Sequence, residues 1–376
     1  MRKDIIPFYT SCDKLIVKSE DCYLFDSEGK RYIDFESGVW CSNIGHSNKQ
    51  IIQRINEQIN ESIHHGYHFR NEFAEELSVK LQQLIGFQNG ASVFLSSGSE
   101  AVNLSITIAR HFTGRKKVFK IDNSYLSAFG FGQISGDNES LVNVRYNNLD
   151  SIAKIDFNDI SAFVIETGGA SVEMVRFPEN DFITKLIEIC RKNECLIIAE
   201  EVTTGIGRLG KWFGYQHYDF TPDIVVTGKA LGNGFPISSV TINSILADKF
   251  EQNPFRYAQS HQNDPLGCSI ALEVIKIIET NKLLEKSRTT GEYFKNQLDL
   301  IKTKYPTKIK DTRARGLMLA IEFKDSIDGE LISKQLFESG FVMGFKLNTL
   351  RFLPPLTIKN SDIDKLISKL DELLKQ

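Results

Sequence analysis

Two side chains in this sequence are placed for carbonyl chemistry. The stretch Cys195–Pro236, CLIIAEEVTTGIGRLGKWFGYQHYDFTPDIVVTGKALGNGFP, holds two short apolar runs, LIIA and DIVV, each breaking off into polar and Gly-rich residues. Both read as buried parallel strands whose carboxyl ends open into loops. In an open α/β sheet, ligands lie beyond those ends. The first strand delivers Glu200 there and the second Lys229. A lysine flanked by Gly228, Gly232 and Gly234 is badly placed as a solvated charge and well placed as a nucleophile. Desolvation and nearby positive charge lower an ammonium pKa, and the neutral amine then forms a Schiff base with an aldehyde. The aldehyde usually held this way is pyridoxal 5'-phosphate (PLP), whose pyridinium nitrogen needs a carboxylate partner, and Glu200 is the candidate.

The segments EEVTTGIGRLG and PDIVVTGKALGNGFP resemble the DEVxxGxGRxG and PDIVxxGKAxGxGxP patterns of class III, PLP-dependent aminotransferases of fold type I, the ornithine, acetylornithine and ω-amino acid type. The resemblance implies an α/β fold: a large domain with a mostly parallel sheet and helices on both faces, plus an α+β small domain. It implies an enzyme that moves an amino group from an amino acid or amine donor to a keto acid or aldehyde acceptor, ping-pong, through a Lys229 Schiff base. The same constellation also serves racemases, epimerases, aminomutases and decarboxylases. A catalytically weak PLP-binding paralogue is the reading of a different class; retention of Lys229 speaks against it. Glu200 stands where the family has aspartate, and Thr203 where it often has glutamine near the cofactor's phenolic oxygen. Val202 and Thr203 are implied cofactor contacts.

The elements that must position these groups follow along the chain. Its 376 residues exceed what one core usually supports, so a large and a small domain are expected. The N-terminal residues 1–45, with a hairpin in YLFDSEGKRYIDF, are assigned to the small domain, 46–274 to the large cofactor-binding domain and 275–376 to the rest of the small domain. Amphipathic helices are expected over 49–85. His64 and His68 between them have helical spacing, but Gly66 interrupts it and no third ligand is suggested, so no metal site is assigned.

In ASVFLSSGSEAVNLSITIARHF, a strand and a small-residue turn lead into a long helix. A helix N-terminus in such a turn is an anion site, which assigns Gly98 and Ser99 to the cofactor phosphate. By resemblance, Tyr125 stacks on the pyridine ring, although Leu126 and Ser127 replace the family's His-Gly. Trp40 and Glu166 line the substrate pocket; an acid at the position of Glu166 pairs with an active-site arginine in some members. Arg351, in NTLRFLPPL, holds a substrate α-carboxylate, a task its planar fork suits. Ser260 falls where a hydroxyl reaches the phosphate of the other subunit's cofactor, which implies a homodimer with shared active sites.

Net charge −3, with 41% hydrophobic and 25% charged residues, gives no pull toward nucleic acid or anionic lipid. Small-molecule amino donors and keto acceptors fit better. The N-terminus has no apolar segment of signal-peptide length and no run approaches membrane-spanning length, so a cytoplasmic location is expected. Six scattered cysteines without a CxxC pair read as reduced thiols.

Overall fold

The computed structural model describes residues 6, 8, 12–133, 139–153, 155–168 and 174–375. The chain opens with strands β1 (Ile16–Glu20), β2 (Tyr23–Asp26) and β3 (Arg31–Asp34), then a one-turn helix α1 (Ser37–Trp40) and helices α2 (Lys49–Glu61) and α3 (Glu72–Ile85). A central stretch follows: β4 (Ala91–Leu95), α4 (Gly98–Thr113), β5 (Lys117–Ile121), β6 (Leu141–Val144), β7 (Ile160–Glu166), α5 (Asn180–Lys192), β8 (Leu196–Glu200), β9 (Ile224–Thr227), β10 (Ser238–Ile242) and α6 (Ser244–Gln252). Helices α7 (Pro265–Thr280) and α8 (Leu283–Lys304) lead to β11 (Ile309–Arg315), β12 (Met318–Phe323), α9 (Gly329–Glu338), β13 (Phe341–Val342), β14 (Gly344–Lys346), β15 (Thr349–Phe352) and α10 (Asn360–Lys375).

The strands β4 to β10 form one sheet in the order β4-β10-β9-β8-β7-β5-β6. Strands β5 to β9 pair in parallel, while β10 runs antiparallel to both of its neighbours. Every residue of β7, β9 and β10 is buried, which is why FVI and IVV read as continuous apolar runs with no polar alternation. Helix α4 covers one face against Val118, Val164, Ile198 and Val226. Helix α5 covers the other, against Phe163, Ile165 and Ile197, where Phe119 and Phe163 stack at 4.5 Å. With both faces shielded, the inner strands open at their carboxyl ends, which deliver Glu166, Glu200 and Lys229 together.

Two smaller sheets flank this core. One joins the N-terminal hairpin to a strand from far down the chain, in the order β1-β2-β3-β13; the other has the order β11-β12-β15-β14. Strand β11, IKDTRAR, has no counterpart in the sequence reading. Its alternating charged residues hide it: Arg313 reaches Glu322 of β12 at 2.6 Å, so cross-strand ion pairs replace apolar contacts on that face. Among the described residues, no helix is long and apolar enough to cross a membrane.

Candidate active site

Lys229 stands two residues past the end of β9, after Gly228, in a backbone with φ of 43°, a left-handed conformation rare for a residue with a side chain. Its ammonium donates to Thr203 Oγ1 at 2.8 Å and sits 4.4 Å from the centre of the Trp40 ring. Burial lowers its pKa below the usual lysine range, against the pull of Glu200, Cys41, Glu166 and Glu36. Burial shifts the balance toward the neutral amine, the form a nucleophile requires.

The sheet separates two adjacent glutamates that the sequence leaves side by side. Glu201 is fully buried, and its carboxylate accepts the N–H groups of Gly214 and Tyr215, both at 2.7 Å, and the hydroxyls of Thr204 at 2.5 Å and Thr167 at 3.1 Å. It anchors the glycine-rich loop and has no capacity left for a ligand. Glu200 accepts the Val202 N–H at 3.1 Å and faces the side of Lys229. Its pKa is raised, first by burial and then by Glu166, its register partner on β7.

The residues present fit a pyridine-aldehyde phosphate. At the mouth of α4, a Cβ on Gly98 would meet Val202 Cγ1 at 2.8 Å, so only glycine lets this turn close on the strand end beside it. Gly228 brings Lys229 to the same place, with its own ideal Cβ position 3.6 Å from the Gly98 Cα. Ser97 caps the helix by accepting the Glu100 N–H at 3.3 Å, leaving the N–H groups of Gly98 and Ser99 ahead of the capped turn. Ser99 Oγ accepts the Ala128 N–H at 3.0 Å and ties down the loop carrying Tyr125, which is 42% exposed. Leu126 and Ser127 of that loop are buried, Leu126 in the apolar cluster that includes α4. Ser260 is exposed, in the loop whose Gln259 donates to Ser96 Oγ at 3.1 Å.

Trp40 links the lysine to the arginine: Arg351 Cζ lies 5.3 Å from the centre of the same ring. Among the described residues the acid paired with Arg351 is Glu36, at 3.7 Å, and Glu166 is the lateral neighbour of Glu200. The sequence reading missed Glu36. Gly344 makes the pair possible, since a Cβ there would come within 2.1 Å of Glu36 Oε1 and 2.3 Å of Arg351 Nε. Burial pushes the Glu36 carboxyl up to about 7, against the opposing pull of Arg351.

Glu36 and Trp40 are carried by an unusual backbone. Ser37, Gly38, Val39 and Trp40 have φ of 43°, 60°, 58° and 67°, so α1 is a left-handed turn, costing about 1–2 kcal/mol for each non-glycine residue. Neighbouring contacts hold it. Asp34 accepts the N–H groups of Glu36 at 2.7 Å and Gly38 at 2.9 Å and hydrogen-bonds His46 Nε2 at 2.8 Å. The Arg208 guanidinium, wholly buried, donates to Ser37 Oγ at 3.0 Å, to Asn43 Oδ1, and to the carbonyls of Leu317 at 3.1 Å and Pro354. The arginine of the GIGRLG motif is therefore a clamp between distant segments.

His68 does not join His64. Instead His64 Nδ1 and His261 Nδ1 meet opposite oxygens of Asp264 at 2.5 and 2.6 Å. Ligand atoms on one tetrahedral zinc stand about 3.3 Å apart, so these are hydrogen-bond separations. A surface cleft of about 900 Å³ between β1 and the start of α2 includes none of the residues converging on Lys229.

Comparison with known proteins agrees with this geometry. Residues 9–129 and 131–374 match the family described as aminotransferase class-III. The acetylornithine aminotransferase of Aquifex aeolicus is 32% identical over 380 residues, covering 95% of this chain and 96% of its own. The [LysW]-aminoadipate semialdehyde/glutamate semialdehyde transaminase of Sulfolobus acidocaldarius is 30% identical over 387 residues, covering 99% and 97%. The crystal structure of acetylornithine aminotransferase from Elizabethkingia anophelis superposes with a TM-score of 0.87 at 26% identity, covering 99% of this chain and 96% of that one. With a lysine-bearing strand end, a mostly parallel sheet and a family match along nearly its whole length, this chain belongs to the class III aminotransferases, PLP-dependent transaminases of fold type I.

Proposed function

We propose that Lys229 is the residue that bonds the aldehyde carbon of PLP, and that the reaction is a ping-pong amino transfer in which one substrate presents an α-carboxylate to Arg351. The observation that carries this reading is the Lys229 ammonium, hydrogen-bonded to Thr203 and enclosed by Trp40 at the strand ends that also deliver Glu200. When bound, PLP supplies the electron sink that makes a substrate Cα–H acidic. The Lys229 amine would then take the proton from that carbon and deliver it to C4′, the former aldehyde carbon of the cofactor. Glu200 keeps the pyridine nitrogen protonated through a charge-assisted hydrogen bond, worth about 1.5–3 kcal/mol. Gly98 and Ser99 present backbone N–H groups to the phosphate, Tyr125 and Val202 flank the ring, and Thr203 orients the Lys229 amine.

Glutamate is the expected α-carboxylate donor. The second substrate carries its reacting amine at the end of a chain, as the names of the acetylornithine and aminoadipate semialdehyde relatives suggest. The enzyme is read as a cytoplasmic homodimer, with Ser260 serving the partner's phosphate and the division 1–45, 46–274 and 275–376 into small, large and small domains. Exposed Tyr67, Phe69, Tyr125 and Phe129 favour an interface, since apolar side chains left in water are covered at low cost. Adding glutamate or an ω-amine without an acceptor should bleach the visible absorbance of the PLP-loaded protein in one turnover and release one equivalent of keto acid from glutamate or of aldehyde from the ω-amine. An absorbance that responds to no amine donor would overturn the reading.

Glu36 makes the carboxylate site pH-dependent. Its raised pKa keeps it neutral below about 7 and ionises it above. Once ionised, it competes with the substrate carboxylate for Arg351. The KM for a keto acid should therefore rise by about tenfold between roughly pH 6 and 8, one pKa unit of differential interaction. In Glu36→Gln that rise should vanish and KM stay low; a profile unchanged by the substitution would remove Glu36 from the carboxylate site.

A further inference from the structure

Lys120 is a charge where a strand interior should be apolar. It stands between Phe119 and Ile121 on β5 and is 5% exposed. An ammonium is almost never buried so fully without compensation. Among the described residues its hydrogen bond goes to the Ser124 carbonyl at 2.9 Å, next to Tyr125. Burial lowers its pKa, while Glu166 and Asp122 pull it back up. Structural support of the Ser124 turn is one use for such a group, but a neutral donor would serve that at far less desolvation cost.

The placement of the strands gives it another use. Register between β5 and β7 pairs Phe119 with Phe163, so Lys120 falls on the opposite face, the one that Val118 and Val164 share with α4. Glu166 lies further along that face at the end of β7, and Glu200 is its register partner on β8. Two buried carboxylates abreast on adjacent strands disfavour each other's ionisation and tend to share one proton. Among the described residues, the charged groups beside them include Lys229 and Glu201 on the side of Glu200, and Lys120 and Asp122 on the side of Glu166. Glu201 is consumed by its own hydrogen bonds, and Lys229 must spend part of its cycle neutral. Among the described residues, Lys120 is the cation on this face that lies on the side of Glu166.

Building on the assignment of Glu200 to the pyridine nitrogen, we propose that Lys120 is a positioning residue for the transamination site. Its ammonium balances Glu166, so that Glu200 meets the ring as a full anion and not as half of a proton-sharing pair. The consequence lies in cofactor discrimination. A site with an anionic Glu200 prefers PLP to 1-deazapyridoxal 5'-phosphate, which has a C–H in place of the ring nitrogen and keeps the aldehyde and phosphate.

The experiment measures the affinity of the cofactor-free protein for both compounds. Wild type should favour PLP by about tenfold or more, the factor for a hydrogen bond to a charged group. Lys120→Met should bring the ratio close to one, and Lys120→Arg should retain it. In the double variant Lys120→Met/Glu166→Gln the preference should return, because the competing carboxylate is gone. A purely structural lysine would weaken both compounds equally and leave the ratio intact, which would overturn the proposal. So would a double variant that folds and shows no preference, a result that decides the matter even if Lys120→Met alone does not fold. A wild type without preference would instead remove Glu200 from the pyridine nitrogen, a failure of the underlying assignment distinct from that of Lys120.

Discussion

Lys229→Ala is expected to cut the amino-transfer half-reaction by at least about 10²–10⁴-fold, the usual contribution of a positioned acid–base group, with a further loss from the missing covalent link. Lys229→Arg should be equally inactive. It keeps the positive charge beside Trp40, but a guanidinium does not become a neutral nucleophile at working pH. The two variants thus separate charge from amine chemistry. Borohydride treatment of the PLP-loaded wild type should add the cofactor's mass to the peptide containing Lys229, and neither variant should show that adduct. A variant retaining half-reaction rates within tenfold of wild type would end the case for Lys229. The cofactor should still bind to Lys229→Ala, because the turn at Gly98 and the carboxylate of Glu200 do not depend on the lysine.

Arg208→Ala should cost about 3–5 kcal/mol, the range for removing one partner from a buried charged network. Against a typical total of about 5–15 kcal/mol, that is a large share of the fold's stability. The side chain is wholly buried and serves acceptors from four separate stretches: Ser37, Asn43, Leu317 and Pro354. Its loss strands them away from water and frees the left-handed turn that carries Trp40. Arg208→Lys should recover little, since one compact ammonium cannot satisfy acceptors spread along a planar fork. Urea unfolding of the cofactor-free protein measures both variants. A loss below about 1 kcal/mol in Arg208→Ala would mean that the four segments hold themselves in place. The same variant should lower the transamination rate, because small displacements of positioning groups cost rate heavily.

Much of this architecture is legible along the chain. Parallel strands covered on both faces must be apolar throughout, so β7, β8 and β9 announce themselves as short runs without alternation. Where each run stops, polar residues are presented at the sheet's carboxyl edge: Glu200 ends β8, and Lys229 stands two residues past β9. The small-residue turn ahead of α4 is legible for a similar local reason, a Ser-capped helix N-terminus. Strand β11 is not, because its partners are charges on another strand. The pairing of Glu36 with Arg351 is equally invisible, since it is created by β13, β14 and β15 folding back beside the N-terminal hairpin.

By itself the sequence determined the class of chemistry, a lysine and a carboxylate at adjacent strand ends in the pattern of the class III aminotransferases, because those features depend on local hydrophobicity and glycine placement. Only the tertiary structure decided which of Glu200 and Glu201 stays available, what Arg208 clamps, which described acid neighbours Arg351 and that the lysine at position 120 is buried. Each of these is a relation between residues far apart in the chain. Such relations carry no periodicity along the sequence and come into being only when the strands are laid side by side.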